Sequence, residues 1–233
     1  MRKEGKDMAG RRRKKKRNRY RKHIIVWVLL LLVAACFCGN KLQQTLHKMP
    51  SEADWELIVV NKWNTIPDGY QTELTTLSNG KQIDSRIYPA LQDLFDAMRA
   101  DGIYPVVREG FRTTTDQQSI LDDKIKAYEQ EGLSSLLAKK MASEWVAAPG
   151  TSEHQLGIAV DINADKTKST NDVVYAWLAE HAWEYGFILR YPKNKESITG
   201  TGYEPWHYRY VGKEAAKEIR QKGCCLEEYV TQK

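Results

Sequence analysis

The chain has little cysteine, and what it has is badly spaced for structure or chemistry. Four cysteines occur in 233 residues, and none belongs to a CxxC pair. Cys36 and Cys38 lie inside an apolar segment, while Cys224 and Cys225 are adjacent near the C-terminus, where a bridge between neighbours is strained. Neither a disulfide framework nor a zinc-thiolate site is therefore expected. Internal repeats and low-complexity stretches are missing too. A chain of this length can bury a core that needs no staples, so the sequence reads as one sizeable domain with extensions. Excess positive charge is also absent from most of the protein. Residues 1–23 hold 13 Lys and Arg against two acids, and the remainder carries 23 basic against 28 acidic residues. A mildly acidic globule behind a basic tail is a poor nucleic-acid binder, and no nucleic-acid partner is expected.

No apolar run reaches the roughly 20 residues of an ordinary membrane span. The longest, residues 24–38 (IIVWVLLLLVAACFC), has 15. Tyr20 and Trp27 near its start, with Lys22 and Lys41 able to snorkel, still suit a single anchor over 24–39. The charge before it orients the N-terminus toward the cytoplasm. Two alternatives stay open: Val33-Ala34-Ala35-Cys36 resembles a lipobox with lipidation at Cys36, or the segment is simply cleaved. All three put the rest of the chain outside the cytoplasm. The expected organisation is a basic cytoplasmic tail (1–23), a membrane helix or signal segment (24–39), a polar stalk (40–55) and a folded domain (56–233).

Within that domain, ELIVV (56–60), YQTELTTL (70–77), IYPVV (103–107), GIAVDI (157–162), residues 187–191 and residues 203–211 read as strands. Ile87, Leu91, Leu94, Phe95 and Met98 recur at helical spacing up to Asp101-Gly102. Further helices are expected from a cap at Thr115 or Asp116 to Gly132, around 134–145, over 171–185, and over 213–222 before Gly223. Short turns between strands, with helices grouped among them, predict an α+β fold with a mainly antiparallel sheet.

Chemistry concentrates in three segments. In SEHQLGIAVDI (152–162), Ile158, Val160 and Ile162 face one side of a strand. Gly157, Ala159 and Asp161 face the other, just after His154. A histidine and a carboxylate so placed are plausible zinc ligands, but a buried acid tying down a loop accounts for this segment equally well. In TGYEPWHYRYV (201–211), Glu204 and His207 are three residues apart, so a regular strand would send them to opposite faces. A bend at Pro205-Trp206 would bring both to one cavity, whereas an edge strand would leave both solvated. Of five histidines, His23 and His47 precede the domain, and His181 fits a packed helix position. His154, Asp161 and His207 remain as the best three-ligand set, with Glu204 spare to act on a water in the fourth position. In EGFRTTTDQQ (109–118), Arg112 could grip a carboxylate or an oxyanion. Taken alone it would be read as a surface ion pair.

Together the segments resemble the zinc D-alanyl-D-alanine carboxypeptidases of the VanY type, which share a fold with D,D-dipeptidases and the hedgehog signalling domain. The matching residues are Gly110-Phe111-Arg112-Thr113 with Gln117, then Ser152, His154, Gly157, Ala159 and Asp161, then Glu204, Trp206, His207 and Arg209. Phe111 and Thr113 replace the usual Tyr and Ser. The resemblance implies Zn²⁺ on His154, Asp161 and His207, Glu204 as general base and acid, and Arg112 on the oxyanion or the terminal carboxylate. Gln117 and Ser152 would contact substrate. The implied protein is a membrane-anchored monomer that trims the C-terminal D-Ala of peptidoglycan precursor peptides. The competing readings are an L,D-carboxypeptidase or peptidoglycan endopeptidase on the same scaffold, and a catalytically silent wall-binding module.

Overall fold

A computed structural model of the chain describes residues 55–232. The tail, the apolar segment and almost all of the stalk lie outside the described residues. Among the described residues, no helix is long and apolar enough to cross a membrane.

The first elements form a small hairpin. Strands β1 (Leu74–Thr76) and β2 (Gln82–Asp84) pair antiparallel, with Leu74 opposite Asp84, around the Ser78-Asn79-Gly80 turn. β2 went unread in the sequence because three residues are too few to show a period. Helix α1 (Tyr88–Ala100) opens on a proline in its first turn and buries Leu91, Leu94 and Met98, as the apolar spacing requires. Strand β3 (Pro105–Glu109) leads to helix α2 (Thr114–Gln130). The cap of α2 is Thr113, not Thr115 or Asp116. Its hydroxyl accepts from the Asp116 N–H at 3.1 Å while the Asp116 carboxylate accepts from the Thr113 N–H at 3.1 Å. Asp116 thus occupies the third helical position of a reciprocal capping box. Helix α3 (Ser135–Ala142) follows.

A 3-10 turn over Glu153–Leu156 ends at Gly157 (φ 75°) and releases the chain into strand β4 (Ala159–Ala164). Helix α4 (Asn171–His181) tightens into a 3-10 turn over Ala182–Tyr185 before Gly186, so the helix expected over 171–185 changes winding in its last turn. Strand β5 (Phe187–Leu189), the single-turn helix α5 (Glu196–Thr199), strand β6 (His207–Tyr210) and helix α6 (Lys213–Lys222) come next. A last helix, α7 (Leu226–Thr231), was not anticipated.

The main sheet runs β3-β4-β6-β5, antiparallel throughout, which gives the α+β class expected. Its two faces differ in kind. Val160, Ile162, Phe187 and Tyr208 point into a core shared with Leu91, Leu94 and Met98 of α1 and Val174 and Leu178 of α4. Each of the Val, Ile, Leu, Phe and Met side chains contributes about 1.5–3 kcal/mol by leaving water. Asp161, His207 and Arg209 alternate onto the opposite face. A second apolar cluster there is built from Leu57, Val59, Ile188, Ile219, Leu226 and Tyr229.

The segment expected as a strand at 56–60 is not one. It begins as a 3-10 turn and then runs extended, with Ile58 and Val60 in the first core and Leu57 and Val59 in the second. The alternation is therefore real, but among the described residues no strand pairs with it. The carbonyls of Glu56 and Ile58 accept instead from the buried Arg209 guanidinium at 3.0 and 2.9 Å. A side chain has satisfied what a ladder would have satisfied.

Candidate metal centre

Sheet register brings the second and third segments together. Asp161 on β4 lies directly opposite His207 on β6, so both side chains emerge side by side on the polar face. The His207 Nδ1 lies 3.1 Å from Asp161 Oδ1. The β3–β4 register slips between Val107 and Glu109, so that Glu109 also faces Asp161 and β3 bends beside the site. The expected strand at 203–211 begins only at His207. Pro205-Trp206 forms a turn ahead of it, and Glu204 thereby swings to within 3.8 Å of His207 Nδ1.

His154 comes from the 3-10 turn and is clamped in both directions. Its Nδ1 donates to the Gly110 carbonyl at 2.8 Å, and its own carbonyl accepts from the Arg112 N–H at 3.1 Å. Nε2 is left facing Asp161 Oδ1 at 3.5 Å. Two glycines make this possible. A Cβ on Gly110 would stand 2.2 Å from the Gln82 carbonyl, against which the loop packs. Gly157 takes the left-handed conformation that ends the turn while its carbonyl accepts from Asp84 N–H at 2.9 Å.

The electrostatics separate the roles. Burial depresses the His154 pKa, so its imidazole is neutral with a lone pair at Nε2. Burial opposes ionisation of Asp161, but the positive charge of the adjacent His207 outweighs it and holds the carboxyl well below the usual range. His207 is pushed up to about 9 because the adjacent Asp161 and Glu153 carboxylates overcome burial. Glu204 moves the other way from Asp161: burial raises it, His207 pulls it down and the Asp161 charge raises it again. One acid is thus a permanent anion and the other can carry a proton.

His154, Asp161 and His207 offer ligand atoms all within 4.8 Å of one another. Asp161 Oδ1 is buried and has no hydrogen-bond partner, an expensive condition unless a cation completes it. Two imidazole nitrogens and one carboxylate oxygen match the donor set and open fourth position of a catalytic zinc. These residues fit the metal.

The surrounding cavity, about 230 Å³, is lined by all three and by Glu204, Arg112, Gln117 and Ser152, so every sequence-predicted site residue reaches one place. Arg112 packs near Glu109 at 3.5 Å, and its Nε is buried without a hydrogen bond. Gln117 is 1% exposed. It accepts from Arg112 Nη1 at 3.3 Å and donates to the Ala147 carbonyl at 2.8 Å, so it ties the arginine to the cavity wall. His181 is elsewhere, its ring tilted against Trp177 at 4.7 Å and paired with Glu184 at 3.0 Å. Cys224 and Cys225 are both free thiols.

Several residues were missed in the sequence. Tyr191 packs its ring 4.8 Å from that of His207, and Trp145 stands 63% exposed at the cavity wall. Glu153, next to His154, looks like a surface charge in the sequence. It is 1% exposed and accepts from Arg190 Nε at 2.7 Å and Arg209 Nη1 at 2.8 Å. Burial would raise its carboxyl, but the two guanidiniums hold it far below the usual range.

An antiparallel sheet presenting one imidazole and a carboxylate, with a second imidazole from the turn ahead of β4 and a protonatable acid beside them, defines a mononuclear metallohydrolase. Comparison narrows the class. The sequence model of the VanY family, described as D-alanyl-D-alanine carboxypeptidase, matches residues 80–213. A D-alanyl-D-alanine carboxypeptidase of Enterococcus faecalis is 57% identical over 186 residues, covering 80% of this chain and 69% of the relative. Among solved structures, VanYB in complex with D-alanine-D-alanine superposes with TM-score 0.73 at 59% identity, covering 76% of this chain and 97% of that one. A mutant of a vancomycin-resistance D,D-pentapeptidase VanY in complex with Zn(II) gives the same score and identity, at 76% and 99% coverage. The LdcB LD-carboxypeptidase is more distant, with TM-score 0.65 and 34% identity over 77% of this chain and 87% of that one. The chain belongs to the VanY D-alanyl-D-alanine carboxypeptidase family.

Proposed function

We propose that the protein is a zinc-dependent D,D-carboxypeptidase that removes the terminal D-Ala from peptidoglycan precursor peptides. The observation that carries this reading is the buried, partnerless Asp161 Oδ1 between two histidine nitrogens, with a protonatable Glu204 at its side. His154 through Nε2, Asp161 through Oδ1 and His207 through Nδ1 would hold the ion. When bound, zinc supplies Lewis acidity and brings the pKa of a water near neutrality. Glu204, its carboxyl raised by burial, takes a proton from the attacking water and delivers it to the departing D-Ala amine. Arg112 offers a guanidinium to the terminal carboxylate or to the developing oxyanion, and Gln117 fixes where that guanidinium points. Ser152, on the cavity wall, contacts the peptide.

The basic residues ahead of the uncharged run at 24–38 support a single membrane anchor with the N-terminus in the cytoplasm, a stalk over 40–55 and a monomeric catalytic domain from 56 on the outer side. The test of the activity is incubation of the zinc-loaded protein with a UDP-muramyl pentapeptide ending in D-Ala-D-Ala, followed by mass analysis. Loss of one alanine is expected. Loss of the dipeptide, or cleavage only of a tetrapeptide ending on an L,D bond, would replace this reading. No cleavage of any would overturn it.

A further inference from the structure

Behind His207 lies a buried charge network that the chemistry above leaves unused. Its members are Glu153, Arg190, Arg209 and Glu227, each no more than 1% exposed. Glu153 Oε1 takes the two arginine bonds already described. Arg190 spends its remaining donors on Glu227 of α7, Nη1 to Oε2 at 2.8 Å and Nη2 to Oε1 at 2.6 Å. Asn61 donates a further bond to Glu227 at 3.0 Å. Arg209 spends its other donors on the carbonyls of Glu56, Ile58 and Tyr210. The carboxylate of Glu153 is thus fixed by two guanidiniums that have little freedom to move. Its second oxygen, Oε2, is left facing His207 Nε2 at 3.5 Å, and both atoms are buried with no hydrogen-bond partner. Such an acceptor and donor, 4% exposed on the histidine side, can satisfy only each other.

We propose that Glu153 is a positioning residue for the metal centre, and that α7 holds it in place through Glu227 and Arg190. Glu153 Oε2 keeps the His207 proton on Nε2, so the lone pair on Nδ1 stays directed at the site shared with Asp161. A metal-bound histidine needs its other ring nitrogen anchored in this way, and loss of such an anchor costs roughly 10- to 100-fold in metal affinity. The two buried arginines neutralise Glu153 and Glu227 pairwise, so the histidine need not compensate an isolated buried charge. A short C-terminal helix that itself lines no part of the cavity thereby acts on a metal ligand across two ion pairs. This inference rests on the metal-centre reading of the site.

The test is zinc affinity, by chelator competition, of the full-length protein and its E153Q variant, with melting temperature measured alongside. Glutamine has the same shape and can accept both arginine bonds. It would, however, turn an N–H₂ donor toward His207 Nε2, favouring the tautomer with the proton on Nδ1. Zinc affinity is expected to fall at least tenfold in E153Q, and the cobalt-substituted protein should show an altered visible spectrum. E227Q, whose side chain is not bonded to His207 and meets the cavity wall only through Asn61, is expected to weaken zinc by a few fold in the same direction. A folded E153Q variant with wild-type zinc affinity and cobalt spectrum overturns the proposal while leaving the metal centre intact. Failure of the wild type to bind zinc overturns the metal-centre reading itself. If E153Q does not fold, NMR of the zinc-loaded wild type decides: a slowly exchanging, hydrogen-bonded His207 Nε2 proton is expected, and its absence sinks the idea.

Discussion

At the scale of single residues, the site divides ligands from proton carriers by their surroundings. His154 and Asp161 are already deprotonated at neutral pH because burial lowers the first and the charge of His207 lowers the second. His207 in the metal-free protein holds its proton up to about 9, stabilised by Asp161 and Glu153. Zinc must displace that one proton. Zinc affinity measured by chelator competition should therefore rise about tenfold per pH unit up to about 9 and flatten above it. Replacing Glu204 removes the proton carrier without touching a ligand. E204A should keep one zinc per chain by elemental analysis while kcat falls by about 10²–10⁴-fold. Full turnover in that variant would refute the assignment. H154A should lose the metal; unchanged zinc content would refute the ligand set.

Elements place these residues, and small backbone details decide whether the placement works. The loop after β3 carries Gly110 and Arg112 to His154, and it can pass the hairpin strand β2 only because Gly110 lacks a Cβ. In G110A the methyl would press 2.2 Å from the Gln82 carbonyl. A loss of about 1–3 kcal/mol in denaturant unfolding is expected, together with weaker zinc binding as the His154 acceptor shifts. Much of this scale was legible. The apolar spacing of α1, the Gly223 stop of α6 and the bend at Pro205-Trp206 were all visible as patterns or backbone rules. The elements missed or redrawn were those in which tertiary contacts replace local signals. Arg209 takes over the carbonyls of residues 56 and 58, and α7 is held partly by a buried carboxylate.

Across the whole molecule, the buried Arg190–Glu227 pair couples the C-terminal helix to the sheet. Burial would raise Glu227, but Arg190 outweighs it and lowers the carboxyl below its ordinary value of 4.5. A depressed acid stabilises the fold fully above that ordinary value, and the contribution is lost as pH falls through the lowered one. In the metal-free protein, E227Q should melt well below wild type at pH 7, since breaking a buried pair costs about 3–5 kcal/mol. The gap should narrow as pH drops below 4.5. A gap independent of pH would show that Glu227 acts by packing rather than by charge.

The sequence alone determined the residue types and their local setting. It carried the His154–Asp161 and Glu204–His207 spacings, the apolar face of β4, and the charge imbalance of the N-terminus, because periodicity and composition are local quantities. Only the tertiary structure decided that Asp161 faces His207, since that depends on the register between β4 and β6. Tertiary structure likewise decided that Glu153, beside a cavity histidine, turns inward to two arginines from β6 and the end of β5. A buried charge is tolerable only where distant partners meet it, and their meeting is written in the fold rather than in any neighbouring residue.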